Sequence, residues 1–310
     1  MRYPVDRACP LTGEPAARVV AYAPASVVAA SNPTYRENYP DILGVSPDDE
    51  FPFVESPAGF LYAGWTPPDD FLERVYEDVI DHSRTVTTTI AYRQTLLEFG
   101  AAFMRLILET KTNRPLHLLD FGCGYGALLN ILGSRDIISV GYEPSAERAG
   151  TTTADGRFSV LTDPASMAEA GPFDLFVCTE VLEHVLDPRA VLRLFKANAA
   201  PGALLAVTVP QCEAADVSHA FGELEAHQRL SGVFNPWEHL NYFTASSLRA
   251  LLSEEGFKVV QDYGAAEPMR QAGASVGRPA SVKDRVRLGI AMARRSLARH
   301  PSTQLFCTSV

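Results

Sequence analysis

The 310-residue chain has no apolar run long enough to cross a bilayer, and its first residues, Met1-Arg2-Tyr3-Pro4-Val5-Asp6, carry no hydrophobic signal core. A spanning helix needs about 20 mostly apolar residues. A cytoplasmic protein without stable membrane insertion is the expectation. The chain also lacks a basic excess. It has 27 Lys and Arg against 37 Asp and Glu, a net charge of −10, so the basic footprint of a nucleic-acid-binding surface is absent. Cysteine is sparse. Cys9, Cys123, Cys178, Cys212 and Cys307 are scattered, none lies in a C-x-x-C pair, and neither a zinc site nor a disulfide framework is indicated. No metal is expected. There is no internal repeat and no low-complexity segment.

What is present suits an ordinary globular protein. Hydrophobic residues make up 46% and charged residues 21% of a chain long enough for one large core and a small second unit. The first 70 residues hold 11 of the 22 prolines, which argues against long helices there. Short β-type runs, Arg18 to Tyr22 and Gly59 to Tyr62, are separated by turn residues. Residues 1–68 therefore read as a small, irregular, partly β N-terminal unit. Residues 69–114 read as a helical connection, because Leu72, Val75, Val79, Tyr92, Leu96, Leu97, Phe103 and Leu106 recur at roughly helical spacing.

After Pro115 strands and helices alternate. Strands are expected at 116–121, 137–142, 158–161, 173–178, 203–209, 258–263 and 304–310. Asp187-Pro188 opens one helix, and Gly256 closes another that begins near Ser246. The pattern predicts an α/β, doubly wound, mostly parallel seven-stranded sheet of Rossmann-like type over residues 115–310. A basic amphipathic helix is expected at about 281–299. Its meaning stays open between a solvated face, a site for a phosphate-bearing substrate such as a nucleotide sugar, and contact with an acidic partner or anionic lipid.

The chemistry begins at the end of the first of these strands. Asp120-Phe121-Gly122-Cys123-Gly124-Tyr125-Gly126 places an acid before glycines that let the backbone turn sharply and approach a ligand. Glu143 ends the next strand, about twenty residues on, where an acid would accept hydrogen bonds from both ribose hydroxyls of an adenosine. The glycine spacing alone also fits a dinucleotide fingerprint, so an NAD(P)-dependent oxidoreductase or epimerase is the alternative. Asp120 favours a cationic ligand over a pyrophosphate.

These segments resemble class I S-adenosylmethionine-dependent methyltransferases of the methyltransferase-23 type. Leu118 to Gly126 looks like their first motif and Tyr142-Glu143-Pro144 like their ribose-binding acid. Phe173 to Val185 is similar to their fourth strand and its loop, and Pro201-Gly202-Ala203 to the turn before their fifth. The resemblance covers residues 70 to 265. It implies S-adenosylmethionine as cofactor and S-adenosylhomocysteine as product. Asp120, Gly122, Cys123, Gly124, Tyr125, Glu143, Pro144, Thr179 and Glu180 would surround it, with Asp163 near the adenine amino group or simply a loop carboxylate. A small-molecule methyl acceptor follows, with the oligomeric state left open.

Methyl transfer is an in-line displacement, for which positioning supplies roughly 7–11 kcal/mol at best and a general base about 10²–10⁴-fold. Two histidines suit the base. His184 follows the fourth strand, where Glu183-His184 could instead cap or pack the next helix. His239 lies in Pro236-Trp237-Glu238-His239-Leu240-Asn241-Tyr242-Phe243, which resembles the E-H-x-x-Y-F stretch of sugar C-methyltransferases. In that group the corresponding Glu and His help deprotonate the substrate, which implies catalytic roles for Glu238 and His239. A structural loop packed by Trp237, Tyr242 and Phe243 is the competing reading. Trp237, Tyr242 and Tyr76 are expected to line the acceptor site, with Tyr76 alternatively a packed helical residue. The chain departs from that group in its N-terminal module. Cys9-Pro10-Leu11-Thr12-Gly13 looks like a zinc knuckle that has lost its second cysteine. A sugar, nucleotide sugar or natural-product intermediate is the expected class of acceptor.

Overall fold

The β-type runs near the N-terminus do form strands, but they do not close a sheet by themselves. Arg18–Pro24 (β1), Glu50–Glu55 (β2) and Leu61–Ala63 (β3) pair antiparallel, and a late two-residue strand, Asn241–Tyr242 (β9), adds to the edge of β3. The computed structural model describes residues 1–81, 103, 114–133, 136–153, 158–212, 214–227, 233–262 and 302–309.

The chain divides into two compact units that are not contiguous in sequence. One gathers Met1–Val86, Glu180–Arg193 and Val209–Glu255, and the other Thr87–Thr179, Leu194–Thr208 and Gly256–Val310. This differs from the expected cut at residue 68. The reason is burial. The aromatic core of the first unit places Phe51, Phe53 and Trp65 with Phe221, Phe234, Trp237 and Tyr242, so apolar side chains of the first 68 residues are covered by residues from later in the chain. Phe51 stands edge-on to Trp237 at 5.7 Å, and Tyr35 stacks on Trp237 at 5.8 Å. Cys9 is buried, and its loop is closed by main-chain bonds from Cys9 N to Glu14 O and Gly13 N to Cys9 O, both 2.8 Å. The expected connecting helix begins as an α-turn, Phe71–Arg74, and continues as a π-turn, Val75–Val79, burying Phe71, Val75 and Val79. Apart from Phe103, residues 82–113 lie outside the described residues, as does the basic helix expected at 281–299.

The second unit is the alternating part. Leu116–Phe121 (β4), Ile137–Tyr142 (β5), Ser159–Leu161 (β6), Phe173–Thr179 (β7) and Ala199–Pro210 (β8) run parallel. Phe257–Asp262 (β10) pairs antiparallel with Ser302–Ser309 (β11), and the sheet order is β10-β11-β8-β7-β4-β5-β6. This is the Rossmann-like α/β fold that the alternation predicted. β4 reads as a nearly unbroken apolar run because both its faces are covered. Leu118 packs with Leu129, Leu175 and Ala206 on one side, while Phe121 meets Phe195 edge-on at 5.1 Å on the other. β8 begins four residues before the expected Ala203, and the β7–β8 register shifts between Phe173 and Leu175.

Helix ends follow their capping chemistry. Asp187 accepts the Ala190 amide at 3.0 Å, and Pro188 opens the helix Pro188–Ala197. Thr244 and Ser247 cap each other reciprocally at the start of Ala245–Glu254, and Gly256 follows that helix at φ 82°. The strand order reverses between β4 and β7. In such sheets that reversal opens a crevice at the carboxyl ends of the strands, and here it puts Asp120 at its edge.

Candidate functional site

Within the parallel-sheet unit, the turn after β4 is built by its glycines. Gly122, Gly124 and Gly126 have φ of 78°, 52° and 71°, the left-handed region that L side chains avoid. At Gly126 a Cβ would also meet the Thr152 methyl at 2.5 Å. The Gly122 and Cys123 amides donate to the Tyr142 carbonyl at 2.8 and 3.0 Å. Glu143 accepts from the Gly124 amide and from the Ser145 amide, both at 3.0 Å, and pairs with Arg148 at 3.3 Å. A carboxylate has about four lone-pair directions, so Glu143 keeps capacity for hydroxyl donors.

Asp120 is different. It is 1% exposed, and neither of its oxygens has a hydrogen-bond partner. Burial, and then the charge of Glu143, push its carboxyl up to about 7. Two acids in one enclosed place call for a ligand that brings positive charge and hydroxyl donors. S-adenosylmethionine has both, whereas a pyrophosphate would meet repulsion. The residues present therefore fit the methyl donor.

The other expected cofactor residues fall at graded positions. Cys123 is buried, and burial raises its thiol so that it stays protonated. Tyr125 is half-buried and Pro144 is exposed. Asp163 is exposed and uses one oxygen to accept the Ala165 amide at 2.9 Å, which caps the short turn Pro164–Ser166. Thr179 ends β7. Glu180 follows at φ 53°, the one non-glycine residue with positive φ among the described residues. Such backbone cost is typically kept where function requires it.

The other unit brings together side chains that lie far apart in sequence. His184 and His239 stand edge-on with ring centroids 4.7 Å apart. His239 Nδ1 lies 2.7 Å from the Val233 carbonyl, and His184 Nδ1 lies 3.0 Å from the Glu238 carbonyl and 2.6 Å from the Tyr76 hydroxyl. The Val233 carbonyl only accepts, so His239 Nδ1 carries the proton and its Nε2 the lone pair, whereas the Tyr76 hydroxyl at His184 Nδ1 can donate or accept, so either His184 tautomer satisfies its contacts. Burial lowers the pKa of His239, which favours the neutral imidazole. Glu183 is 2% exposed, its oxygens lack hydrogen-bond partners, and Oε1 lies 3.7 Å from His184 Nε2. Burial and then Glu180 raise its pKa well above the ordinary carboxylate value.

Glu238 and His239 turn to different partners. Glu238 Oε1 accepts from the Tyr35 hydroxyl, from Asn32 Nδ2 at 2.9 Å and from Asn235 Nδ2 at 3.2 Å. The side chain of Glu238 is thus committed to the turn, and its carbonyl steadies His184. Trp237 is fully buried in the aromatic core. Tyr76 reaches the histidine pair from the π-turn. Tyr242 lines a separate cavity of about 570 Å³ with Phe60, Val217, Thr244 and Leu251, which neither histidine lines.

Sequence reading missed what holds this cluster. The Glu183 carbonyl accepts the amides of Leu240 and Asn241 at 2.6 and 3.0 Å, and Asn241 Nδ2 donates to Leu182 O and Val185 O at 2.8 and 2.7 Å. Arg7 in turn donates to Asn241 Oδ1 and Leu240 O, both at 2.7 Å, and to Leu186 O at 2.9 Å. Burial lowers the Arg7 pKa to about 10, which leaves it charged at neutral pH. No local signal marks Arg7, because its partners lie from 56 to more than 230 residues away. Arg7→Ala should cost at least about 3 kcal/mol, since it strips a charged donor from several buried acceptors. Urea unfolding would measure the loss, and an unchanged midpoint would contradict it.

The family model described as "Methyltransferase domain" matches residues 90–262, more than half of the chain. Among curated proteins, the ubiquinone biosynthesis O-methyltransferase of Caulobacter sp. (strain K31) is 38% identical over 100 residues, covering 30% of this chain and 40% of that one. The human mitochondrial ubiquinone biosynthesis O-methyltransferase is 28% identical over 173 residues, covering 50% and 46%. The chain thus spans less than half the length of these relatives. Among solved structures, the plantazolicin methyltransferase BpumL in complex with SAH shares the fold at 13% identity. Its TM-score is 0.51, with 77% of this chain and 94% of that one covered. No helix among the described residues is long and apolar enough to cross a membrane. With the glycine turn, its two acids and the strand order all in agreement with the family match, the chain belongs to the class I S-adenosylmethionine-dependent methyltransferases.

Proposed function

We propose that this protein methylates a hydroxyl of a small molecule, with the imidazole pair His184 and His239 activating the acceptor. The observation that carries the reading is that pair of rings with centroids 4.7 Å apart, in which the Val233 carbonyl holds the Nδ1 proton of His239 and leaves the lone pair on its Nε2. The relatives named above as O-methyltransferases support an oxygen acceptor. S-adenosylmethionine, when bound, supplies a methyl carbon already activated by the sulfonium.

The residues of the chain do the rest. Asp120 offers negative charge to a cationic ligand, Glu143 accepts from ribose hydroxyls, and the Gly122–Gly126 turn admits the ligand to the backbone. Nε2 of a neutral histidine takes the acceptor proton. The acceptor oxygen then bonds to the methyl carbon as the carbon–sulfur bond breaks, which leaves a neutral thioether. Glu238 acts as a positioning residue through its carbonyl, and Tyr76 through its hydroxyl. A sugar, nucleotide sugar or natural-product intermediate is the class of acceptor proposed.

Titration calorimetry with S-adenosylhomocysteine tests the donor half. Saturable binding of one ligand per chain is expected, weakened by Glu143→Ala. A flat isotherm at millimolar ligand would sink the reading.

A further inference from the structure

We infer that Asn235 and Tyr35 are positioning residues of the reaction, which lock the turn of residues 235–239 so that His239 is held with its lone pair on Nε2. This deepens the reading above and rests on it, because it names what sets the base in place.

Asn235 is 2% exposed and uses its side chain entirely inside the fold. Its Oδ1 accepts the Trp237 amide at 3.1 Å, an Asx-turn that closes the chain just past Pro236. A main-chain amide only donates, which distinguishes Oδ1 from Nδ2 in this side chain. Nδ2 then donates to the Tyr35 hydroxyl at 2.8 Å and to Glu238 Oε1 at 3.2 Å. The Asn235 carbonyl also accepts the amides of Glu238 and His239, at 3.2 and 2.7 Å. Aspartate could take the Trp237 amide but has no donor, and it would set a second carboxylate against Glu238.

Tyr35 anchors this turn from a distant part of the same unit. Its oxygen receives the Asn235 donor, so its own O–H points at Glu238. Burial, and then the charge of Glu238, raise the phenol well above its ordinary pKa, so it stays a donor. Its ring stacks on Trp237 at 5.8 Å. Asn32 adds a donor to the same Glu238 oxygen at 2.9 Å, with its Oδ1 held by the Thr34 amide at 3.0 Å. A buried network in which every member is satisfied is rigid.

His239 inherits that rigidity. Asn235 O holds its amide, and Val233 O holds its Nδ1–H at 2.7 Å. The lone pair then lies on Nε2, as a base requires. Asn235 and Tyr35 act through the main chain of the turn. A shift of about 1 Å in such a group costs about 100-fold in rate. The proline-rich N-terminal segment thus serves the chemistry by carrying Tyr35 and Asn32.

The test uses the full chain with ¹⁵N-labelled histidine, above neutral pH and without an acceptor. The imidazole signal that is missing from His239→Ala should show the pure Nδ1–H tautomer in the wild-type chain. In Asn235→Asp that signal should move toward the average of the two tautomers. Tyr35→Phe, which keeps the ring on Trp237, should move it the same way. Combining Asn235→Asp with Glu238→Gln exchanges acid and amide, and should restore it. Near-ultraviolet circular dichroism of the aromatic core identifies the folded variants. A wild-type His239 without the Nδ1–H tautomer, or a signal unchanged in the folded variants, would overturn the inference. Turnover, read as S-adenosylhomocysteine release with sugars and nucleotide sugars, should fall about 100-fold in kcat for Asn235→Asp with KM unchanged. If His239→Ala lowers turnover while Asn235→Asp and Tyr35→Phe do not, the positioning role falls and the base reading stands. If His239→Ala leaves turnover unchanged, both fall.

Discussion

Asp120→Asn should make the ligand-free protein more stable above neutral pH and at the same time impair donor binding. The carboxyl is buried without a hydrogen-bond partner, and its pKa is raised from the ordinary value of 3.8 to about 7. With the folded pKa above the unfolded one, the contribution of this residue is most favourable below pH 3.8. It is lost as pH rises through about 7. Above that, the ionised side chain costs up to about 4 kcal/mol, from a shift of about three pKa units at 1.36 kcal/mol each. Asparagine cannot ionise and fills the same volume. Urea unfolding at pH 8 should therefore show a gain of about 2–4 kcal/mol, and at pH 4 little change. The same substitution removes the charge that meets the cationic ligand. A charged hydrogen bond is worth about 1.5–3 kcal/mol, so S-adenosylmethionine affinity should fall roughly 10–150-fold. A variant that is less stable at pH 8 and keeps its affinity would contradict both expectations.

The second large effect is expected at the histidines. His239→Ala should lower turnover by about 10²–10⁴-fold, the usual contribution of a general base, while S-adenosylhomocysteine affinity stays unchanged. Turnover is read as S-adenosylhomocysteine release in the presence of hydroxylated small molecules, sugars and nucleotide sugars among them. The pH profile carries a sign. Because burial lowers the His239 pKa from its ordinary value of 6.5, the neutral form persists into more acidic solution. The acid limb of the wild-type profile should then lie below pH 6.5. Glu238→Gln is the informative contrast, since an amide oxygen still accepts from Tyr35, Asn32 and Asn235. Retained turnover fits a positioning residue, and a loss like that of His239→Ala would make Glu238 the base instead.

Much of the donor side is legible in the linear sequence. Leu116–Phe121 and Ile137–Tyr142 form the strands their apolar runs indicate, and Gly122, Gly124 and Gly126 take the positive φ that only glycine adopts readily. Asp187-Pro188 and Gly256 mark helix ends as their chemistry requires. These features are local, and each is decided by a few neighbouring residues. Less is visible at the acceptor side. The Glu238-His239 pair suggested by adjacency is not a pair, because a turn sends one side chain to Tyr35 and the other to Val233. Trp237 stands beside Glu238 in the same short segment, but it is a core residue, since its ring fills the space among Tyr35, Tyr39 and Phe51.

By itself the sequence determined the alternating sheet, the glycine turn with Asp120 and Glu143, and hence the family of the methyl donor. Periodicity, capping and backbone freedom act over short stretches of chain and can be read along it. Tertiary structure alone decided that His184, His239 and Glu183 share one place, with Tyr76 reaching His184. It also decided that Arg7 and Asn241 hold it, and that a strand from residues 241–242 completes the N-terminal sheet. Those contacts join residues separated by up to more than two hundred positions. They exist because buried polar groups must find partners wherever the fold provides them, and the linear order carries no record of which partner that will be.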